Sequence, residues 1–383
     1  MAEINQVYIT RTAKFLPNKP ISNDEMESYL GCIKGNPSKS KNIVLRNNGI
    51  KQRFYAMQKD GKATHTNSQM TALAVRELFN NVSEEIKSMQ LLCCGTSTPD
   101  QMMPSHGVMV HGWLPEASAI EVTSPSGVCC SGMHALKYAY LSVKNGEVKN
   151  AVATGSERLS RVLRSDVFEE EVNHLMELEK NPYIGFEKEF LRWMLSDGAA
   201  AFLLSDKKNE NGLSLRIEWI EVVSYAHQKE PCMYMACDKM EDGTTKSYMD
   251  YSPEEMISQS ILSMKQDVKM LSQFMVGYGY DALKAVCEKR NFSVNDIHYF
   301  LPHISSEFFR SKIAEILEQK GMPIPQEKWF TNLTRVGNVG AGSIYLMVDE
   351  IFKSGNLKKG EKLLLMVPES SRFSYSYSLL TVC

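Results

Sequence analysis

Short apolar runs alternate with segments of helical periodicity along the whole chain. The segment 65–81 predicts a helix, since Met70, Leu73, Leu78 and Phe79 fall near one face. The runs that predict buried strands are 6–10, 89–97, 117–122, 149–155, 296–303 and 361–369. Strands that alternate with helices in this way predict an α/β fold with mostly parallel sheets.

The same design, a buried strand that ends at a polar residue and leads into a helix, occurs in both halves of the chain. The charged and polar stretch SDKKNENGL (205–213) lies between them. We therefore expect an N-terminal half over residues 1–208 and a C-terminal half over residues 209–383. Two stretches, 165–190 and 227–258, have the character of insertions that form a lid, a pocket wall or a subunit contact.

Composition excludes several classes of protein. The chain has 383 residues, 43% of them hydrophobic, and its net charge of -2 provides no basic field for nucleic acid. No apolar run approaches membrane-spanning length, and the N-terminus MAEINQVYIT lacks a signal-peptide pattern. We expect a cytoplasmic protein with no membrane or nucleic-acid partner. An odd count of nine cysteines without a secretion signal argues against a disulfide framework.

Two adjacent cysteines stand at a predicted strand-to-helix junction. A strand over 119–122 leads through a turn of small residues into helical spacing from Met133 to Val143. Cys130 is thus predicted at a helix N-terminus, where free amides and the helix dipole lower a thiol pKa and favour a nucleophilic thiolate. Cys129, one residue back on the strand, is predicted to point into the core. The alternative is that both thiols are buried and inert.

Two more polar residues lie at similar junctions. His303 ends the apolar run 296–302, and Ser305 or Ser306 can cap the helix that follows. Asn338 stands between glycines before another amphipathic run, which suggests a tight loop. Each signal is weak alone, but three polar residues at three such junctions predict one site.

At these positions the chain resembles the ketoacyl-ACP synthase III group of the thiolase superfamily. The resemblance runs nearly end to end, and VCCSGMHAL is similar to the nucleophile motif small–Cys–[Ala/Ser]–Gly–Phe, which selects Cys130 over Cys129. The matching segments, in family order, are NNGIKQR (47–53), VCCSGMHAL (128–136), GSERLSR (155–161), LSDGAAAFLL (195–204), LPHISS (301–306) and GNVGAGSIYLMVDE (337–350).

This resemblance implies a thiolase-like five-layer α-β-α-β-α fold of two pseudo-duplicated halves, normally a homodimer, with no cofactor and no metal. It implies that Cys130 accepts an acyl group from a thioester. His303 and Asn338 then hydrogen-bond the carbonyl oxygen of a second thioester as it becomes an enolate. Asparagine rather than cysteine at the third position favours synthases over thiolases.

The chain also departs from the group. The C-terminal loop GGGFTWG, whose amides form the acyl-enzyme oxyanion hole, is SSRFSYS here, and Arg372 stands where a glycine is usual. The tryptophan that stacks on coenzyme A is absent from the N-terminal segment, which favours acyl carrier protein over free coenzyme A as donor. The candidates for a basic rim facing that acidic partner are Arg46, Arg53, Arg310 and Lys312.

These departures resemble the DarB-type ketosynthases of dialkylresorcinol and flexirubin biosynthesis. Such enzymes join two β-ketoacyl thioesters by a Claisen step and close the ring with loss of CO2, which yields a dialkylcyclohexanedione. The alternatives are an initiating synthase that condenses an acyl primer with malonyl-ACP, simple acyl transfer to an alcohol or amine, and an inactive partner subunit. For a general base the sequence offers Asp100, Glu187 and Glu189 without choosing among them.

Overall fold

A computed structural model describes residues 4–32, 35, 37–38, 40–167 and 191–383. Most of the insertion predicted at 165–190, with Glu187 and Glu189, lies outside these residues. The described strands are β1 (Tyr8–Phe15), β2 (Ile21–Ser22), β3 (Gln52–Arg53), β4 (Leu91–Gly95), β5 (Glu121–Thr123), β6 (Asn150–Glu157), β7 (Gly198–Ser205), β8 (Leu215–Ser224), β9 (Met233–Tyr234), β10 (Cys237–Lys239), β11 (Thr245–Ser247), β12 (Lys265–Gln266), β13 (Tyr299–Pro302), β14 (Lys362–Glu369) and β15 (Ser374–Val382).

The helices follow the predicted periodicity closely. The helix predicted over 65–81 is α3, and a capping box between Thr66 and Gln69 begins it. The described α-helices are α1 (Met26–Leu30), α2 (Lys41–Asn48), α3 (Asn67–Leu78), α4 (Ser83–Ile86), α5 (His106–Gly112), α6 (Cys129–Lys144), α7 (Pro253–Ser258), α8 (Val268–Arg290), α9 (Glu307–Gln319), α10 (Leu333–Val336) and α11 (Ser343–Lys353). No helix of the described ranges is long and apolar enough to cross a bilayer.

Nine of the described strands form one mixed sheet, in the order β13-β14-β15-β8-β1-β7-β6-β4-β5. Only β4 with β5, β4 with β6, and β13 with β14 pair in parallel; the remaining neighbours are antiparallel. The prediction of mostly parallel sheets is therefore wrong. Helices cover both faces of the sheet, so its antiparallel strands carry the same continuous apolar runs as its parallel ones.

The alternation along β4 shows how the layers are arranged. Leu91 and Cys93 face a core shared with α6 and α11, whereas Leu92 and Cys94 face a second core under α3 and α5. α6 and α11 contact strands from both ends of the sheet, and α8 and α9 cover the far side of β14 and β15. The layers thus run helix, sheet, helix, sheet, helix.

The short pairing of β1 with β8 joins the two halves of the sheet, β13-β14-β15-β8 and β1-β7-β6-β4-β5. It pairs Tyr8 with Arg216 and Ile9 with Leu215. The charged stretch 205–213 connects β7 to β8 beside this seam. The predicted boundary between residues 1–208 and 209–383 falls within this connection, and the division into two halves stays a prediction.

Candidate active site

An apolar cavity lies where α6, β13 and β14 converge. Cys129, His303 and Asn338 all line it, so the structure brings two of the three predicted residues, and the neighbour of the third, to one place. Much of the remaining wall is methionine, an unbranched side chain that adapts its shape to flexible apolar ligands. These methionines are Met194, Met233, Met264, Met275 and Met366.

His303 follows β13 directly, and its backbone amide donates to the carbonyl of Met366 at 2.8 Å. Ser306 caps the next helix, as predicted. Burial lowers the pKa of His303 to about 4, so the imidazole is neutral at pH 7. Among the described residues neither ring nitrogen of His303 has a hydrogen-bond partner. A neutral imidazole in an apolar cavity is able to donate one N–H to a ligand oxygen.

Asn338 is held on both sides by backbone hydrogen bonds. Its amide donates to Met194 O at 3.0 Å, and its carbonyl accepts from Ser196 N at 2.8 Å. Its side-chain Oδ1 accepts from Gly340 N at 2.9 Å. This contact orients the carboxamide and leaves Nδ2 available to donate to a ligand in the cavity.

The cysteine pair differs from the expectation in its orientation. Both residues lie in the first turn of α6, where successive side chains are about 100° apart rather than on opposite faces of a strand. Cys129 is half-buried and lines the cavity. Cys130 is 1% exposed, and its Sγ donates to Val367 O at 3.3 Å. The prediction that Cys129 is the core residue of the pair is therefore wrong in terms of burial.

The free helix N-terminus expected at Cys130 is occupied by a carboxylate. Oε2 of Glu369 accepts from Val128 N at 3.0 Å and from Cys130 N at 2.9 Å. Burial, with the Glu369 carboxylate next, raises the pKa of both thiols well above the ordinary value. The lowered thiol pKa predicted for Cys130 is thus corrected, because the dipole and amides that would stabilise a thiolate already hold an anion.

Glu369 was not predicted from the sequence, although it meets the criterion used for His303, a polar residue at the end of a predicted buried strand. The residue ends the apolar run 361–369, just as His303 ends the run 296–302. Its Oε1 accepts from Ser371 Oγ at 2.7 Å, and the side chain is only 7% exposed.

A second buried carboxyl supports the Asn338 loop. Glu157 ends β6 and accepts hydrogen bonds from Thr96, Ser97, Thr98 and the amide of Ala341. Burial raises its pKa to about 7, in spite of these donors.

The second predicted insertion supplies part of the cavity wall. β9 pairs with β12, which places Met233, from the stretch 227–258, and Gln266 against the cavity. Arg372 lies on the outer side of this segment, where its Nε donates to Lys229 O at 2.8 Å. Arg53, predicted for a basic rim, is fully buried and donates to Asn23 Oδ1, so it is no part of a rim.

Comparisons with known proteins show what the chain is similar to. Residues 287–367 match the family model of the C-terminal part of 3-oxoacyl-[acyl-carrier-protein] synthase III. The chain is 23% identical over 362 residues to a β-ketoacyl-[acyl-carrier-protein] synthase III of Clostridium novyi, covering 94% of both chains. The chain is thus similar to ketoacyl-ACP synthase III over nearly its whole length. Its acyltransferase class and thiolase-like fold are as predicted.

Solved structures show the same fold over nearly the full length of the chain. A variant of OleA from Xanthomonas campestris has a TM-score of 0.76 at 17% identity and covers 100% of this chain and 99% of its own. AbyA1, a tetronic acid condensing enzyme, has a TM-score of 0.75 at 18% identity, over 98% and 99% of the two chains.

Proposed function

We propose that the enzyme condenses two acyl thioesters, β-ketoacyl groups on acyl carrier protein, through an acyl-cysteine, with decarboxylation and ring closure to a dialkylcyclohexanedione. The observation that carries the proposal is the apolar cavity that Cys129, next to Cys130 in the chain, lines together with two neutral hydrogen-bond donors, His303 and the side-chain amide of Asn338. Its apolar wall, rich in methionine, suits alkyl chains.

In the first half-reaction Cys130, the position that the nucleophile motif selects, attacks the first thioester; the bond between the acyl carbon and the carrier sulfur breaks, and the carrier thiol leaves with the proton that Cys130 gives up. Sγ of Cys130 leaves Val367 O, a weak hydrogen bond, to reach the carbonyl carbon. In the second half-reaction His303 and Asn338 donate to the carbonyl oxygen of the second thioester. Both donors are neutral and lie in a low-dielectric cavity, so they stabilise the enolate more than they would in water.

An initiating synthase is the second candidate function, because the curated relatives of the chain are named synthase III. That reaction condenses an acyl primer with malonyl-ACP and yields a linear product. The departures in the 370–376 loop and the insertion that lines the cavity favour the cyclising reaction. The neighbour named a tetronic acid condensing enzyme also supports condensing chemistry beyond chain initiation.

The test is intact-protein mass spectrometry after incubation with a β-ketoacyl-ACP, with product analysis of the same mixture. We expect an acyl adduct on the wild type and on Cys129→Ala, no adduct on Cys130→Ala, and a cyclohexanedione from the first two. The adjacent cysteine is the matched control, since both thiols lie in one helical turn.

The possible outcomes separate the alternatives. Loss of the acyl adduct in Cys129→Ala alone would identify Cys129, the thiol that lines the cavity, as the nucleophile. An adduct that yields only a linear product after malonyl-ACP is added would assign the enzyme to chain initiation. Absence of any adduct would contradict the acyl-cysteine itself.

A further inference from the structure

Coupling two β-ketoacyl thioesters requires a base that a malonyl donor does not need. A malonyl thioester generates its carbanion by losing CO2, whereas a β-ketoacyl thioester must lose a proton from C2. The residues that hold the enolate oxygen, His303 and Asn338, donate hydrogen bonds and stay neutral. The proton must therefore go to another group at the cavity.

Most buried carboxyls of the described residues have a structural task that accounts for them. Asp197 braces the amides of Ala56, Leu159 and Ser160. The exposed Asp100, one of the carboxylates considered from sequence, also has a structural task, since it accepts from the first amides of α3. Glu157 is surrounded by donors that tie β6 to the Asn338 loop. These groups hold the scaffold, so none is free to turn towards a substrate.

Glu369 differs from them in position and in its partners. The residues beside it in sequence, Pro368 and Ser370, line the cavity, and so does Val128, whose amide it accepts. Among the described residues it accepts three hydrogen bonds and forms no ion pair, and a carboxylate has about four acceptor sites. One acceptor site thus stays open, on a carboxylate held against the turn that carries both thiols.

We propose that Glu369 is the general base of the carbon–carbon bond-forming step, an inference that rests on the function proposed above. Its carboxylate takes the C2 proton of the second β-ketoacyl thioester, and the C–H electron pair becomes the enolate held by His303 and Asn338. The enolate carbon attacks the acyl-cysteine carbonyl, the new C–C bond forms and the C–S bond breaks. The departing thiolate recovers its proton from the Glu369 carboxylic acid, so no co-reactant is consumed.

The structure also explains how one carboxylate serves both ends of this cycle. Burial, with the Glu369 charge next, raises the thiol pKa of Cys130, so a thiolate released in this buried position takes up a proton readily. The Glu369 carboxylate accepts hydrogen bonds from the backbone amides of Val128 and Cys130, which holds it against the turn that carries both thiols.

The experiment uses Glu369→Gln, which keeps the size of the side chain and an oxygen for the Val128 and Cys130 amides. We expect it to accept the acyl group at least as fast as wild type in intact-protein mass spectrometry. We expect it to condense a malonyl-ACP donor, but to couple two β-ketoacyl-ACPs at least about 100-fold more slowly. A purely structural role would change both donors equally, so the split between donors is the informative measurement.

Glu361→Gln is the matched control, because this glutamate precedes the other end of the same strand, β14. It should couple both donors at the wild-type rate. Equal coupling of β-ketoacyl donors by wild type and Glu369→Gln would overturn the base assignment and leave the proposed function intact, as would loss of acylation in folded Glu369→Gln. If wild type itself couples no β-ketoacyl donors, the proposed function fails and the base assignment fails with it.

Discussion

At the scale of single residues, burial sets the chemistry of the site as strongly as residue type does. Burial keeps His303 neutral, burial and then the Glu369 carboxylate keep both thiols protonated, and Glu157 holds a proton near neutral pH. Cys130 and His303 were predicted from their positions in sequence, but the lowered thiol pKa predicted for Cys130 is wrong and the neutral state of His303 was not predicted. Those states depend on desolvation by side chains that are distant in the chain.

Glu157 provides a direct test of this desolvation. Its pKa rises from 4.5 to about 7 in the folded protein, so the folded state binds the proton more tightly than the unfolded state. Its contribution to stability is complete below pH 4.5 and is lost as pH rises towards 7, by up to about 1.4 kcal/mol per pH unit. Glu157→Gln cannot titrate and should lack this loss.

The measurement is urea unfolding of wild type and Glu157→Gln at several values between pH 4.5 and 7. The difference in unfolding free energy, wild type minus variant, should fall by roughly 3 kcal/mol over that range. Contributions from His303 and from the other titrating groups cancel in the difference. A difference that stays constant with pH would mean that Glu157 is ionised throughout.

At the scale of elements, the site depends on how closely α6 approaches the loop before α11. A Cβ on Gly132 would lie 2.5 Å from Ala341 O, and Tyr345 Oη already donates to Gly132 O at 2.7 Å. Glycine is needed here for the close approach of two backbones. This contact joins the helix of the cysteines to the loop of Asn338.

Gly132→Ala should therefore cost about 1–3 kcal/mol of unfolding free energy and reduce condensation, because the Asn338 loop must move. Gly277→Ala is the control, since a Cβ there meets nothing within 4 Å and the residue lies inside α8. That variant should be about 1 kcal/mol more stable than wild type. Thermal unfolding and product formation measure both effects; equal destabilisation by the two variants would contradict the contact.

At the scale of the whole molecule, the sheet ends on one side at the short edge strand β5. Exposed apolar side chains flank it: Val108 on α5, and Tyr138 and Leu141 on α6, with the Tyr138 hydroxyl donating to Glu121 of β5. An unpaired edge beside apolar side chains favours association with a second copy of the chain. We propose a homodimer through β5.

Leu141→Arg should shift the protein from dimer to monomer in light scattering coupled to size-exclusion chromatography, because it places a charge in an apolar contact. Ile43→Arg is the control, since Ile43 is similarly exposed but lies on α2, which contacts α9 in the other half. A monomeric wild type, or equal dissociation by both variants, would contradict the proposed interface.

Hydrophobic periodicity by itself indicated some of the helices and buried strands, such as α3, β4, β6 and β14, and it placed Cys130, His303 and Asn338 at the ends of such elements; it did not predict β8, β15 or α8. Those features depend on neighbours a few residues apart. Tertiary structure alone decided the strand directions, the face of α6 that each cysteine occupies, and the meeting of Glu369 with Cys130, 239 residues earlier in the chain. Periodicity shows that a residue is buried, but not which distant residue it will contact.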